Sequence, residues 1–238
     1  MIIDKFDKFY SIHNLDLRIL HQFCESSHYS TSHGANKKNY VGLAPLYFSL
    51  IYSIKAKKCV CLGSGDGFIP KIMALAQYNL IQNKLLTDYD ISLVDANIQG
   101  FGERYYNDKI ENYPQIKVIN QKTDDSINFF DQISYLHIDA DHTENQVYKD
   151  LCNYGPKMIK KNWIITCHDS HYPANAVKNF GEGVCRSARK WVADNDCEMI
   201  NLAVGFGTII IVPKIFGSNS QNFVNFEFVD QLNQKILN

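Results

Sequence analysis

Short apolar runs alternate with longer mixed segments along most of the chain. Five of these runs are separated by segments long enough for helices, at 58–62, 91–94, 116–119, 133–138 and 162–167. Strands that alternate with helices imply right-handed crossovers and a mostly parallel sheet. Two last runs, at 199–204 and 208–212, are separated only by Gly205-Phe206-Gly207, which is too short for a helix, so they are predicted to be antiparallel neighbours. The pattern predicts an α/β fold with a mostly parallel seven-stranded sheet, an antiparallel C-terminal hairpin and helices on both faces.

The first of these runs ends in a glycine-rich turn. Gly63 and Gly65 can adopt backbone angles that other residues avoid, so the turn can be tight and can leave room for a ligand against bare peptide. The segment 69–79 is predicted to be a helix whose free amides point toward such a ligand. Phe68 stands where a dinucleotide motif has its last glycine, and the Lys-Ser/Thr pair of a phosphate loop is missing, which argues against a pyrophosphate.

Three acids follow later predicted strands. Asp95 ends the second run, where a carboxylate can accept both hydroxyls of a ribose; the alternative is an acid that caps a helix or a turn. Asp139 and Asp169 end two adjacent strands, and ligand clefts open at that edge of such sheets. These two carboxylates are therefore predicted to face each other across a cleft.

Composition limits the class of protein. The chain has 238 residues, 45% of them hydrophobic, which suits one α/β domain at 41–214, an N-terminal segment at 1–40 and a tail at 215–238. A net charge of -1 gives no field that would gather nucleic acid. The seven cysteines are expected to be free thiols in a reducing compartment. With no secretory signal and no apolar run of membrane-spanning length, we expect a cytoplasmic protein that does not contact a membrane.

The glycine turn, Asp95, the segment Asp139-Ala140-Asp141-His142 and the pair His168-Asp169 together resemble class I S-adenosylmethionine-dependent methyltransferases. The resemblance covers roughly residues 41–213 and implies a Rossmann-like fold with S-adenosylmethionine as the cofactor. Within that superfamily the chain is similar to small-molecule O-methyltransferases of the catechol, caffeoyl-CoA and macrocin type. It is closer still to cephalosporin-hydroxylase-like relatives, many of them linked to sugar methylation. This implies a small-molecule acceptor, a sugar or nucleotide-linked sugar of polysaccharide or natural-product biosynthesis.

The resemblance also implies roles for individual residues. Catalysis is assigned to His142 as the general base, with Asp139 and with His168 as the second candidate base; the alternative for His142 is a structural hydrogen bond to Asp139. Mg²⁺ or another divalent cation is expected on Asp139 and Asp169, with Ser170 in the place of the family's third ligand and Asp141 or His168 as replacements. The expected cofactor-binding residues are Gly63, Ser64, Gly65, Gly67, Asp95, Asp124 and Asp139.

Several points stay open at this stage. Leu62 stands where many family members carry an acid, and Asp124 reads almost equally well as a solvated loop acid. Other readings are an N-methyltransferase on nucleic acid or protein, although no proline pair stands at 139–142, and a non-catalytic nucleotide-binding relative. The N-terminal segment forms either a lid or substrate wall, or a poorly ordered leader. The tail could add a strand, form a homodimer contact or attach loosely.

Overall fold

The fold is built on one sheet of seven strands, described in a computed structural model over residues 17–25, 29–36, 40–63, 67–96, 113–171 and 180–214. Ser64, Gly65 and the tail 215–238 lie outside the described residues. The strands of the large sheet are β3 (Cys59–Leu62), β4 (Ile91–Val94), β5 (Ile116–Ile119), β6 (Tyr135–Ile138), β7 (Ile164–His168), β8 (Cys197–Leu202) and β9 (Thr208–Pro213). The α-helices are α1 (Leu17–Glu25), α2 (Ala44–Ser53), α3 (Phe68–Gln82), α4 (Thr123–Ser126), α5 (Glu144–Tyr154) and α6 (Phe180–Asp194).

The strands are ordered β5-β4-β3-β6-β7-β9-β8 across the sheet. The first five are parallel to one another, and β9 lies between β7 and β8, antiparallel to both. This confirms the predicted parallel sheet with an antiparallel hairpin at its C-terminal end. The apolar runs located most strands to within two residues, because all residues of β3, β4, β6 and β7 are buried.

Helices cover both faces of the sheet, as predicted. Along β3 the side chains alternate, with Cys59 and Cys61 in the layer that α2 and α3 cover. Val60 and Leu62 point into the opposite layer, which contains residues of α5 and α6. The central strands are thus shielded from water on both sides, and ligands can approach them only at their ends.

The described part of the N-terminal segment packs onto the domain. Leu20 and Cys24 of α1 are fully buried in the same core as α2 and α3. A short ladder then joins β1 (Ala35–Asn36) to β2 (Tyr40–Val41). The sequence showed no strand pattern there, because two residues are too few to establish a period of two. The domain boundary at residue 40 stays a prediction. The β1–β2 ladder has one strand before this boundary and one strand at it.

The helices of the described ranges are short. The two longest, α3 and α6, have 15 residues each, and within those ranges none has the length and hydropathy that a bilayer span requires.

Candidate functional site

A cleft of about 660 Å³ opens at the carboxyl ends of the parallel strands. The residues that line it come from the turn after β3, from the ends of β4, β6 and β7, and from the N-terminal segment. Six of the residues named from the sequence meet in this cleft: Gly63, Asp95, Asp124, Asp139, His142 and Asp169. His168 lines it as well, so both candidate bases reach the same space.

Gly63 sits where β3 comes closest to the end of β6. Its φ angle is +80°, and a Cβ atom there would overlap the Asp139 carbonyl group and the Ala140 Cα atom. Its amide donates to the Val94 carbonyl at 2.8 Å, which ties the turn to β4. Gly67 has φ +85° and directly precedes α3, so this second glycine also occupies a conformation that favours glycine. Bare backbone therefore forms this wall of the cleft.

Asp95 and Asp124 lie at the other end of the cleft. The Asp95 amide donates to the Ile119 carbonyl at 3.1 Å, which fixes the acid beside β5. Asp124 accepts a hydrogen bond from Lys149 Nζ at 2.6 Å and a longer one from Gln146 at 3.4 Å. The hydrogen bond from Lys149 lowers the pKa of Asp124. This acid is therefore held in a defined position, although its part in cofactor binding remains a prediction.

Gln146 was not identified from the sequence. It lines the cleft, and its amide also lies within hydrogen-bonding distance of Thr123 Oγ1 (3.2 Å) and Asp150 Oδ1 (3.0 Å). Glutamine one turn into a helix is too common a feature to single out from sequence.

Asp139 is surrounded by histidines. Its Oδ1 accepts hydrogen bonds from His142 Nε2 and from His168 Nδ1, each at 3.1 Å, and its Oδ2 lies 3.8 Å from His137 Nε2. Burial by itself raises the pKa of Asp139, but His168, His137 and His142 together hold that pKa well below its usual range. Asp139 is thus a carboxylate at any neutral pH.

His142 lies between two carboxylates. Its Nε2 is 3.1 Å from Asp139 Oδ1 and 3.2 Å from Asp169 Oδ2. Burial lowers the pKa of His142, whereas Asp139 and Asp169 raise it, and the net result is a pKa of about 9. In this arrangement the ring carries its proton at neutral pH and cannot accept another. Its role as the general base stays a prediction.

His168 uses both ring nitrogens as donors. Nδ1 donates to Asp139, and Nε2 lies 3.3 Å from the Ser32 carbonyl oxygen, which can only accept. Burial lowers the pKa of His168, but Asp139, Asp169 and the Ser32 carbonyl together raise it above its usual value. The ring stacks on His33 with 3.8 Å between centroids. His168 is therefore a fixed, buried cation in this structure, and its role as a base is also a prediction.

Ser32 and His33 are two further candidates for the functional site, both from the N-terminal segment. Both line the cleft, and His33 Nδ1 lies 3.2 Å from the hydroxyl of buried Tyr47. Burial holds the pKa of His33 well below its usual range, so this ring is neutral. The Ser32 carbonyl also accepts the Phe206 amide at 2.8 Å. This contact joins the N-terminal segment to the turn between β8 and β9.

Asp169 is buried, with 5% of its surface exposed, and burial raises the pKa of its carboxyl group. Its Oδ1 lies 3.0 Å from His168 Nδ1, but the hydrogen on that nitrogen goes to Asp139. Among the described residues this oxygen has no hydrogen-bond donor. The Ser170 hydroxyl, by contrast, donates to Asn201 Oδ1 at 2.7 Å, and Ser170 does not line the cleft.

The site has the donors that a divalent cation requires. Ligand atoms of Asp139, His142 and Asp169 all lie within 4.8 Å of one another. The Asp169 oxygen without a donor is the further sign that this set fits a cation. Ser170 as the third ligand stays a prediction: its hydroxyl is turned to Asn201, and the residue does not line the cleft.

Comparison with known proteins agrees with this arrangement. Residues 61–170 match the sequence model of a family described as a methyltransferase domain. No curated protein matches the chain. The matched range begins in β3 and ends just after β7, so it contains most of the acids of the cleft.

Solved structures share the fold. An O-methyltransferase from Bacillus cereus in complex with SAH has a TM-score of 0.56 and 13% identity, and the match covers 88% of this chain and 97% of that one. The O-methyltransferase TomG from Streptomyces achromogenes, involved in tomaymycin synthesis and in complex with SAM, has a TM-score of 0.56, 10% identity and coverages of 79% and 89%. The SAH-bound methyltransferase PaMTH1 from Podospora anserina has a TM-score of 0.54, 13% identity and coverages of 74% and 80%.

Proposed function

We propose that the chain transfers the methyl group of S-adenosylmethionine to a hydroxyl oxygen of a small molecule, because residues 61–170 match a methyltransferase domain and the sheet has the order of the methyltransferase fold. The observation that carries the proposal is the meeting of Gly63, Asp95 and Asp139 around one cleft at the carboxyl ends of parallel strands. The Bacillus cereus and Streptomyces achromogenes proteins hold SAH and SAM, which supports this choice of cofactor.

One end of the cleft has the features that a nucleoside requires. Asp95 accepts the two ribose hydroxyls, and Gly63 lets the ligand lie against backbone. Asp124, fixed by Lys149, accepts from the adenine amine. Ser64, Gly65 and Gly67 are part of the proposed cofactor site, and of these three only Gly67 belongs to the described residues. S-adenosylmethionine supplies a methyl group on a sulfonium, and this end of the cleft orients it toward Asp139.

The other end receives the acceptor. Methyl transfer to oxygen requires an in-line approach, loss of the hydroxyl proton and exclusion of water. The His142 N–H and the carboxylates of Asp139 and Asp169 lie together there and can hold a hydroxyl. A divalent cation held by these carboxylates would stabilise the developing alkoxide.

The acceptor is a sugar or a nucleotide-linked sugar. The cleft around Asp139 presents several side chains that form hydrogen bonds, among them Ser32, Asp141, His142 and Asp169, beside the apolar side chains of Phe68, Ala140 and Phe206. Such a lining suits a molecule with several hydroxyls better than a flat aromatic ring, which gains more from apolar walls. All seven cysteines are free thiols, which supports a reducing, cytoplasmic location.

Two measurements test the proposal. Calorimetry of the folded protein with S-adenosylmethionine and S-adenosylhomocysteine should give saturable binding, and no binding of either would refute the function. Labelled cofactor offered with a panel of nucleotide sugars and catechols should label the sugars. Labelling of catechols alone would overturn the sugar acceptor and leave the methyltransferase activity standing.

A further inference from the structure

Asp139, His142 and Asp169 bring two carboxylates and one imidazole nitrogen to a single point of the cleft. We propose that these three side chains bind a first-row transition-metal ion such as Mn²⁺, Co²⁺ or Zn²⁺ in preference to Mg²⁺, with His142 Nε2 as the third ligand once the ion has displaced its proton to solvent. The inference rests on the proposed function only for the role of the ion, since binding itself can be measured without cofactor or acceptor.

The distances suit an ion at the centre of the set. His142 Nε2 lies 3.1 Å from Asp139 Oδ1 and 3.2 Å from Asp169 Oδ2. Donors that bind one ion at about 2.1 Å stand roughly 3.0 Å apart in an octahedron and roughly 3.4 Å apart in a tetrahedron. Both separations fall within that range, so His142 Nε2 already stands at ligand spacing from each carboxylate, and the two carboxylates offer oxygens within 4.8 Å of each other.

The hydrogen bonding of the set is incomplete without an ion. Nε2 of His142 has one hydrogen and two carboxylates within reach, and Nδ1 of His168 has one hydrogen for Asp139 Oδ1 and Asp169 Oδ1. Only 5% of the surface of Asp169 is exposed, and its Oδ1 has no hydrogen-bond donor among the described residues. A buried carboxylate oxygen without a donor is costly, and a cation bound by the other oxygen of the same carboxylate, Oδ2, lowers that cost by neutralising charge on the group.

The donor types determine which ion is preferred. Mg²⁺ takes oxygen ligands almost exclusively, whereas imidazole nitrogen suits the first-row transition metals. Ser170, which stands where an oxygen ligand would complete a hard set, gives its hydroxyl hydrogen to Asn201 at 2.7 Å. Ser170 also does not line the cleft, and the third donor that lies together with the two carboxylates is the nitrogen of His142.

A second set of candidate ligands, His33, Asp139 and His168, does not compete. The rings of His33 and His168 stack with 3.8 Å between centroids and 29° between their planes. The lone pairs of their nitrogens lie in these nearly parallel ring planes and therefore do not point at one common ion. Both nitrogens of His168 already donate hydrogen bonds, to Asp139 and to the Ser32 carbonyl.

The test uses full-length protein stripped with a chelator and then freed of it. Calorimetric titrations with Mn²⁺, Co²⁺ and Mg²⁺ should show binding of the transition metals that is tighter than Mg²⁺ binding by at least about tenfold. His142→Glu, which restores an oxygen donor, should reduce that ratio by at least about tenfold. Ser170→Ala, the matched control, should leave both affinities within about twofold.

Pulsed paramagnetic resonance on the Mn²⁺ protein identifies the ligand directly. Coupling to a nitrogen nucleus should appear in the wild type and in Ser170→Ala and should disappear in His142→Glu. His142→Gln provides a second variant if the glutamate variant does not fold by circular dichroism.

Equal affinity for Mg²⁺ and Mn²⁺, nitrogen coupling that survives both His142 variants, or loss of the metal in Ser170→Ala would each overturn the inference. S-adenosylmethionine binding measured on the same samples separates the two proposals. Retained cofactor binding with no metal preference refutes only the metal site, whereas absent cofactor binding refutes the proposed function.

Discussion

Gly63 lies against the backbone of Asp139, so closely that a methyl group at position 63 would overlap the Asp139 carbonyl oxygen. The glycine is therefore what allows β3 to end beside the carboxylate that the histidines surround. The two ends of the cleft, which we propose to bind the nucleoside and the acceptor, meet at this contact.

Gly63→Ala should destabilise the protein and remove cofactor binding. The new side chain meets backbone, which cannot easily shift, at a φ angle of +80° that alanine disfavours. We expect a loss of about 1–3 kcal/mol in the free energy of unfolding, measured by urea titration. Gly183→Ala, on α6 near Glu144, is the control and should change stability by less than about 1 kcal/mol. Equal effects of the two substitutions would contradict the role given to Gly63.

Asp95→Ala should weaken cofactor binding more than turnover at saturating cofactor. A carboxylate that accepts two ribose hydroxyls contributes about 1.5–3 kcal/mol, which corresponds to a loss of roughly 10- to 100-fold in affinity by calorimetry. Asp90→Ala is the control, because Asp90 lies just before β4, at the opposite end of the same strand, and pairs with Lys58 at 3.7 Å. A fall in kcat with unchanged cofactor affinity would place Asp95 in the chemistry instead.

Asp169→Asn should lower turnover more than cofactor affinity, the opposite of Asp95→Ala. The variant loses one of the two carboxylates at the acceptor end, so kcat should fall by roughly 100-fold or more while the affinity for S-adenosylmethionine stays within about twofold. Any stimulation by added divalent cations should vanish with it. Asp196→Asn, at a carboxylate with 86% exposure, should behave as the wild type. Normal turnover in Asp169→Asn would show that the acceptor binds elsewhere.

Asp150→Asn should stabilise the protein, and the gain should depend on pH. Asp150 is fully buried on α5, and burial raises its pKa to about 6. Between about pH 4 and pH 6 the folded state retains a proton that the unfolded state has lost, so this group lowers stability progressively as pH rises through that window.

Above pH 6 the full cost of about 2–3 kcal/mol is present, and below pH 4 it is absent. Asparagine keeps an oxygen for Thr123 and Gln146 and carries no charge. Urea titrations at pH 8 and pH 4 should therefore show a gain for the variant only at the higher pH. Asp131→Asn, at an acid with 80% exposure, should show no such difference.

The sequence predicted what depends on local pattern. Buried strands appear in the sequence as apolar runs. Because the carboxyl ends of parallel strands lie at one edge of the sheet, the sequence alone predicts that Asp139 and Asp169 lie close together. The short gap at 205–207 was enough to predict the antiparallel hairpin.

The parts that could not be predicted depend on contacts between distant segments. Nothing in a polar stretch without periodicity indicates that His33 stacks on His168 or that the Ser32 carbonyl accepts from it. The direction of the Ser170 hydroxyl is set by Asn201 on another strand. The protonated state of His142 follows from two carboxylates that surround it only in the folded chain.

The hydrogen bond from the Phe206 amide to the Ser32 carbonyl joins two of the most distant parts of the described chain. During synthesis on the ribosome, the β-strands that present Gly63, Asp95 and Asp139 emerge well before Phe206 does. A nascent polypeptide therefore contains every acid of the cleft before the last hairpin exists. Only the chain that has closed this hairpin can anchor the Ser32 carbonyl, and with it the N-terminal wall of the cleft.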